Sequence, residues 1–318
     1  MIGIPFYIWR FDKWFIKVRM QYSIGIYTAS NPFVWSPAEG IVNPVLRASD
    51  VTDVETEIVA DPFMVREKDV WYMFFEVVNA HASGGDIALA TSNDGLHWRY
   101  NRVILSEPFS MSFPYVFKWQ SDYYMIPDTH QANAIRLYKA DAFPTRWSFA
   151  GVLIQGMYVD PAIVRHKDKW WIFAADVLGN DKLRLFYAND LMGPWIEHSK
   201  SPVVLGDNRI ARPGGRVIVY NDQVIRYAQD DSNFYGKAVR GLIIDVLSPT
   251  DYKEHEADVS PILKGSAKHL TWTMWNAKGM HTLDPHQIGP NQWIACVDGF
   301  YKYHYWTWAP LRHLFGHE

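Results

Sequence analysis

The sequence contains one cysteine, Cys296, in 318 residues. A single thiol excludes an internal disulfide framework and a cysteine-rich zinc site. Within W-I-A-C-V it reads as a small buried side chain. An excess of one charge is also missing. Lys and Arg total 31 against 34 Asp and Glu, a net charge of −3. With no basic run, nothing reads as a nucleic-acid footprint. No apolar stretch is long enough for a transmembrane helix. The N-terminal run M-I-G-I-P-F-Y-I-W-R stops at Arg10, without a basic leader or an A-x-A-like cleavage site. We therefore expect no signal peptide and a cytoplasmic protein.

Aromatic residues are abundant. There are 15 Trp, 18 Tyr and 17 Phe, with 48% hydrophobic residues overall. Disorder is excluded as the dominant state, and a core built on aromatics is expected. The length suits one large repeat domain or two ordinary ones.

Two kinds of unit alternate along the chain. The first is an apolar strand, a short polar turn and an aromatic-rich strand: 61–76, 114–128, 160–176, 214–229 and 284–298. These are five β-hairpins of one type. The second is an alternating strand, a turn with Asn, Asp, Gly or Pro, and an aromatic opening the next strand: 22–35, 86–98, 134–147, 182–195 and, more loosely, 239–252. One hairpin of each kind makes a four-stranded blade, and a radial array of blades makes a propeller. The chain begins with an outer unit lacking an inner partner and ends with an inner unit lacking an outer one. Joining them closes an all-β, five-bladed propeller and protects the sheet edges. A β-sandwich would not predict complementary half-blades at the two ends. We expect one domain over 1–318, with the blades at about 22–299 and aromatic, basic end segments at 1–21 and 300–318. Those ends could cover the outside, lie on a membrane surface or mediate self-association.

Three inner hairpins open with Asp-Pro: Asp61, Asp160 and Asp284. Asp-Pro commonly initiates a turn. In a propeller, however, the entrances of the inner strands converge at one mouth. The returning strands should deliver Glu76, Asp128, Asp176, Gln229 and Asp298 to the same place. So many carboxylates at one pole imply a substrate, a metal or catalysis.

The stretches A-D-P-F, F-F-E, G-D-I-A-L-A-T-S-N-D-G-x-x-W and S-F-P-Y-V-F resemble the five-bladed propellers of glycoside hydrolase families 43, 32, 62 and 68. Over about residues 22–299 the resemblance is greatest to the N-terminal domain of glucosamine inositolphosphorylceramide transferases, through S-I-G-I-Y, N-P-V-L, L-R-L-F-Y, R-P-G-G-R and W-I-A-C-V-D-G. In those transferases sugar transfer is attributed to a separate C-terminal domain, so the resemblance does not carry that activity to this chain. The hydrolase resemblance implies that Asp61 is base or nucleophile and that Asp160 orients substrate and tunes the acid. Such hydrolases usually take the acid Glu from blade four, where this chain has I-A-R-P-G-G-R-V.

Glycoside hydrolysis needs one protonated and one ionised carboxyl group. Glu76 is the acid candidate, because apolar neighbours in W-Y-M-F-F-E would raise its pKa; the alternative is a Glu neutralised by Arg212 or Arg216. Asp128 is a second acid candidate. Asp284 and Asp298 could accept from sugar hydroxyls. Arg212 and Arg216 could bind substrate, balance the carboxylates or hold an anion. His281 and His286 match no strong metal motif, although a central Ca²⁺ or water held by His281 is conceivable. Trp119, Trp171 and Trp272 could stack on sugars. The expected activity is a glycosidase acting on a glycosidic linkage, furanosidic linkages included, with no cofactor and a carbohydrate partner. The alternatives are a non-catalytic carbohydrate-binding propeller and a phosphorylase using the arginines.

Overall fold

The computed structural model describes residues 13–79, 84–266 and 274–309. They form five antiparallel sheets around one axis, a β-propeller. Blade one runs Thr56–Glu67, Val70–Asn79, Gly85–Ser92 and Arg99–Leu105, from the axis outward. Blade two follows with Ser112–Trp119, Asp122–Asp128, Ala134–Ala142 and Arg146–Gln155. Blade three has Tyr158–His166, Lys169–Asp176, Lys182–Ala188 and Ile196–Glu197. Blade four has Ile218–Tyr220, Gln223–Asp230, Ala238–Leu247 and Tyr252–Glu256. Among the described residues, only two single turns of 3-10 helix, Ala48–Asp50 and His130–Ala132, interrupt the strands.

Blade five joins the chain's ends. Its order is Leu283–Gly289, Gln292–Ala309, Lys13–Ala29 and Trp35–Pro37. The expected ring closure is therefore observed. The expected blade limits at 22 and 299 are too narrow, because pairing continues from Ala29↔Trp293 out to Lys13↔Ala309. Residues 13–21 and 301–309 thus prolong blade five as a two-stranded ribbon.

The repeated outer turn explains much of the tryptophan. The indole N–H of Trp35 donates to Pro32 O, that of Trp98 to Gly95 O, Trp147 to Pro144 O and Trp195 to Leu191 O, at 2.8–3.1 Å. In four blades the ring thus fixes its own turn and presents an apolar face to the sheet. Trp171 is 2% exposed and belongs to this core. Trp119 packs against Trp170 under Arg165, away from the axial cavity. Neither takes the expected sugar-stacking position, and Trp272 lies outside the described residues.

The axis is plugged. Arg216 pairs with Asp284 of blade five and donates to Met64 O of blade one and Val116 O of blade two, at 3.2 and 2.9 Å. Tyr115 lies under that guanidinium and donates to Ile163 O of blade three at 2.6 Å. These buried polar contacts join neighbouring blades, alongside a parallel backbone bridge between Gly215 of blade four and Leu283 of blade five.

Candidate functional site

Of the three Asp-Pro pairs, only Asp284-Pro285 stands at a strand entrance, as the second and third residues of Leu283–Gly289. Asp61 and Asp160 lie inside their strands, at places where the register jumps: Ala60↔Glu76 is followed by Phe63↔Phe74, and Val159↔Ala175 by Ala162↔Phe173. Two residues, Asp and Pro, oppose one, which is a β-bulge. Asp61 has φ 52° and Asp160 φ 51°. Asp tolerates this left-handed region better than most residues, and proline needs no ladder donor at a bulge. Each such conformation costs roughly 1–3 kcal/mol, a cost found most often at functional sites. Blade two has the same bulge at Phe113, φ 48°, where the side chain packs on Phe63 instead.

The bulges aim their side chains at one pole. There a cavity of about 380 Å³ is lined by Tyr22, Asp61, Glu76, Asp128, Arg212 and His281, among others. Asp160, 1% exposed, sits just beneath, held by Arg212 Nε at 2.6 Å and Gln229 Nε2 at 2.7 Å. Asp61 and Glu76 thus share one cavity with Asp160 behind its wall rather than in its lining, while Asp94 and Asp190 lie on exposed turns.

Asp61, 5% exposed, accepts from Thr282 Oγ1 at 2.8 Å and lies 3.4 Å from His281 Nε2. Burial pushes its pKa up to about 7, against the pull of His281 and with the push of Asp160 and Asp298. Burial would lower the His281 pKa, but Asp298, with Asp61 and Asp160, raises it to about 9. Asp298 accepts from His281 Nδ1 at 2.7 Å and from the backbone N–H groups of His281, Thr282 and Asp61 at 3.0–3.1 Å. Burial opposes its charge, yet the imidazolium and these donors hold its pKa below the ordinary range. Asp298 thus orients the site rather than facing a ligand. Asp61, His281 and Asp298 could bring ligand atoms within 4.8 Å of one another. With both ring nitrogens engaged, protonated His281 already supplies the cation between the two carboxylates.

Glu76 is half-buried and contacts neither Arg212 nor Arg216, which have other partners. Its neutralisation by these arginines is thus not what the structure shows. Burial first, then the nearby Asp61 charge, raises its pKa well above the usual range. Its carboxyl rests on Gly85: a Cβ there would come within 2.5 Å of Glu76 Oε1. Asp128 is occupied by His130, through Nδ1 at 2.8 Å and the backbone N–H at 2.9 Å.

Asp284 does not join them. Its strand has no bulge there, with Leu283↔Val297, Asp284↔Cys296 and Pro285↔Ala295 in register. Its carboxylate points into the axial plug, to Arg216, His286 Nε2 at 2.9 Å and Met64 N–H at 2.6 Å. Asp284 and Arg216 are therefore structural partners rather than cavity residues. With Arg216 committed there, the two arginines do not form a joint anion site. Asp176 also stays away, bridged to Arg184 at 3.0 Å. Four contributors were not singled out from the sequence. Tyr22 has a buried hydroxyl without a hydrogen-bond partner among the described residues. Tyr235 lies 5.1 Å beneath the Arg212 guanidinium, and Thr282 and His130 hold the two carboxylates. The alternation Y-S-I-G-I-Y could have flagged Tyr22; the others sit in turns without a periodic signal.

Comparison with known proteins agrees with this architecture. The family model described as glucosamine inositolphosphorylceramide transferase 1, N-terminal, matches residues 19–300. The glucosamine inositolphosphorylceramide transferase 1 of Oryza sativa subsp. japonica is 31% identical over 302 residues, covering 88% of this chain and 40% of that protein. The Arabidopsis thaliana protein of the same name is 32% identical over 300 residues, covering 88% and 39%. The chain thus spans about two-fifths of the length of these relatives. Among solved structures, the catalytic domain of the Coprinopsis cinerea GH62 α-L-arabinofuranosidase has TM-score 0.58 at 12% identity, covering 86% of this chain and 97% of that one. An exo-1,5-α-L-arabinanase from a bovine ruminal metagenomic library has TM-score 0.55 at 12% identity, covering 76% and 93%. At such identity these two show a shared fold. By the match over residues 19–300, the chain belongs to the family of the N-terminal part of glucosamine inositolphosphorylceramide transferase 1.

Proposed function

We propose that this propeller binds a carbohydrate in the axial cavity and hydrolyses a glycosidic bond there. The observation that carries the reading is the carboxyl pair Asp61 and Glu76. Both belong to the cavity, and their surroundings treat them differently. His281 and the Thr282 hydroxyl pull Asp61 toward its ionised form, whereas Glu76 feels the His281 charge too but less than its own burial and the Asp61 charge, and keeps its proton to higher pH. Hydrolysis uses such a division, one group as acid and the other as base or nucleophile. Asp160, tied to Arg212 and Gln229, would position substrate. Asp128 and Arg212 would meet sugar hydroxyls at the wall. The fold shared with glycoside hydrolases is consistent with this reading.

A second reading is binding without turnover. Arg212 favours it, because it stands in blade four where hydrolases of this resemblance place their acid, and it is bonded to Asp160. A screen of aryl glycosides and oligosaccharides, with and without inorganic phosphate, separates the two. Hydrolysis lost in Asp61→Asn, and reduced in Glu76→Gln mainly for poor leaving groups, supports the first. Binding to the unmodified protein without product supports the second. Full activity in Asp61→Asn would remove the catalytic assignment.

A further inference from the structure

A second cleft, of about 700 Å³, lies beside blade five and is lined by Gln21, Arg47, Ser49, Thr56, Trp275 and Tyr301, among others. It shares a wall with the axial cavity. Met20 and Tyr22 line the axial side, and Gln21 and Ser23 line the cleft. Successive residues of a strand face opposite sides, so one strand serves both spaces at the same height. The partner strand behaves alike: Phe300 stacks on Tyr22 at 4.7 Å, and Tyr301 lines the cleft.

Trp275 is held in place by glycine. A Cβ on Gly25 would meet Trp275 Cη2 and Cζ2 at 2.7 Å, and one on Gly299 would meet Cζ3 at 2.9 Å. These glycines lie on adjacent paired strands, in the pairs Gly25↔Val297 and Ser23↔Gly299. The notch for the indole therefore exists only because both side chains are missing. The following residue fixes the segment: Asn276 Nδ2 donates to Tyr27 Oη at 3.2 Å. Asn43, another lining residue, is fixed by two hydrogen bonds exchanged with the backbone of Ile26, at 2.8 and 3.0 Å. Arg47 projects from the rim, exposed and without a carboxylate partner among the described residues.

We propose that this cleft is a second carbohydrate-binding site, taking one pyranose unit against Trp275. A locked indole, a second aromatic in Tyr301 and unspent donors at the rim match the two surfaces of a sugar. Its C–H face suits the negative face of an aromatic ring, and its hydroxyls suit Arg47 and Ser49. Placing the ring in advance removes an ordering cost from binding. This site does not depend on the axial reading, since it shares no lining residue with that cavity.

The test uses the indole ¹H–¹⁵N correlations of the full chain, with Trp275→Phe assigning the Trp275 signal. The probes are the methyl glycosides of glucose, galactose, mannose and N-acetylglucosamine, and glucuronic acid. Single-sugar sites commonly need roughly millimolar ligand, about −4 kcal/mol. At least one probe is expected to shift the Trp275 indole signal saturably. Arg47→Ala, on the exposed rim, is expected to weaken that probe by roughly 10-fold, the worth of one charged hydrogen bond. Asp61→Asn should leave the titration unchanged. A Trp275 signal unmoved by every probe, or moved equally in Arg47→Ala, overturns the proposal. Turnover at the axial cavity bears on neither outcome.

Discussion

The backbone N–H of Asp61, at the bulge of blade one, donates to Oδ2 of Asp298 in blade five at 3.0 Å. One carboxylate therefore closes the ring and sets the conformation of the candidate base. Asp298→Ala would strip the partner from buried His281 and leave three backbone donors unpaired. A loss on the order of 3–5 kcal/mol is expected, read from urea unfolding. A variant within 1 kcal/mol of the parent would contradict this (about the error of a good extrapolation).

The two arginines that flank P-G-G should separate by experiment. Arg216 lies in the axial plug with Asp284, so Arg216→Ala strands a buried charge and should destabilise by about 3–5 kcal/mol. Arg212 lines the cavity. Its removal should weaken ligand binding or raise KM at a smaller cost in stability, because loss of a side chain that lines the cavity opens buried Asp160 to water. Equal melting temperatures for parent and Arg216→Ala would refute the assignment.

The pH profile follows from the carboxyl pair. Asp61 must lose its proton, with a pKa near 7, while Glu76 keeps one to higher pH. Activity should rise through about pH 7 and fall above it. Thr282→Ala removes a hydrogen bond to ionised Asp61 and should move the acid limb to higher pH. Carboxyl ¹³C titration reads the same groups without turnover. An Asp61 midpoint near that of an ordinary carboxylate would disprove the account.

Stability should also carry the mark of His281. Its pKa rises from 6.5 to about 9 on folding. A raised pKa contributes stability that is fully present below 6.5 and lost as pH climbs through 9. The contribution is on the order of 3 kcal/mol. The gap between the parent and His281→Gln should therefore narrow across that window. A gap that widens with pH would show that the imidazole is neutral in the folded protein.

Ring closure has its own test. Deleting residues 1–36 removes the strand Lys13–Ala29 and most of Trp35–Pro37, leaving blade five with two strands. The exposed edge should cost far more than 1 kcal/mol and favour aggregation. An unchanged melting temperature would argue that blade five does not hold the ring.

The blades were legible from the chain alone. Alternation of period two, turn residues at regular spacing and the tryptophan closing four of the five outer turns are local signals, and a local signal survives in a linear text. The complementary half-blades at the two ends carried even the closure. The aim of each side chain was not legible. Asp61, Asp160 and Asp284 share one dipeptide, yet only the first two sit at bulges and face the cavity. A single extra residue in one strand turns a side chain to a new direction, and whether it is accommodated depends on the partner strand and the neighbouring blade. The same holds for Trp275, whose position depends on glycines more than two hundred residues away on one strand and nearby on its partner. Pairing along a blade is written in the sequence. What meets at the axis, and what lies in the cleft beside it, was decided by packing between strands distant in the chain.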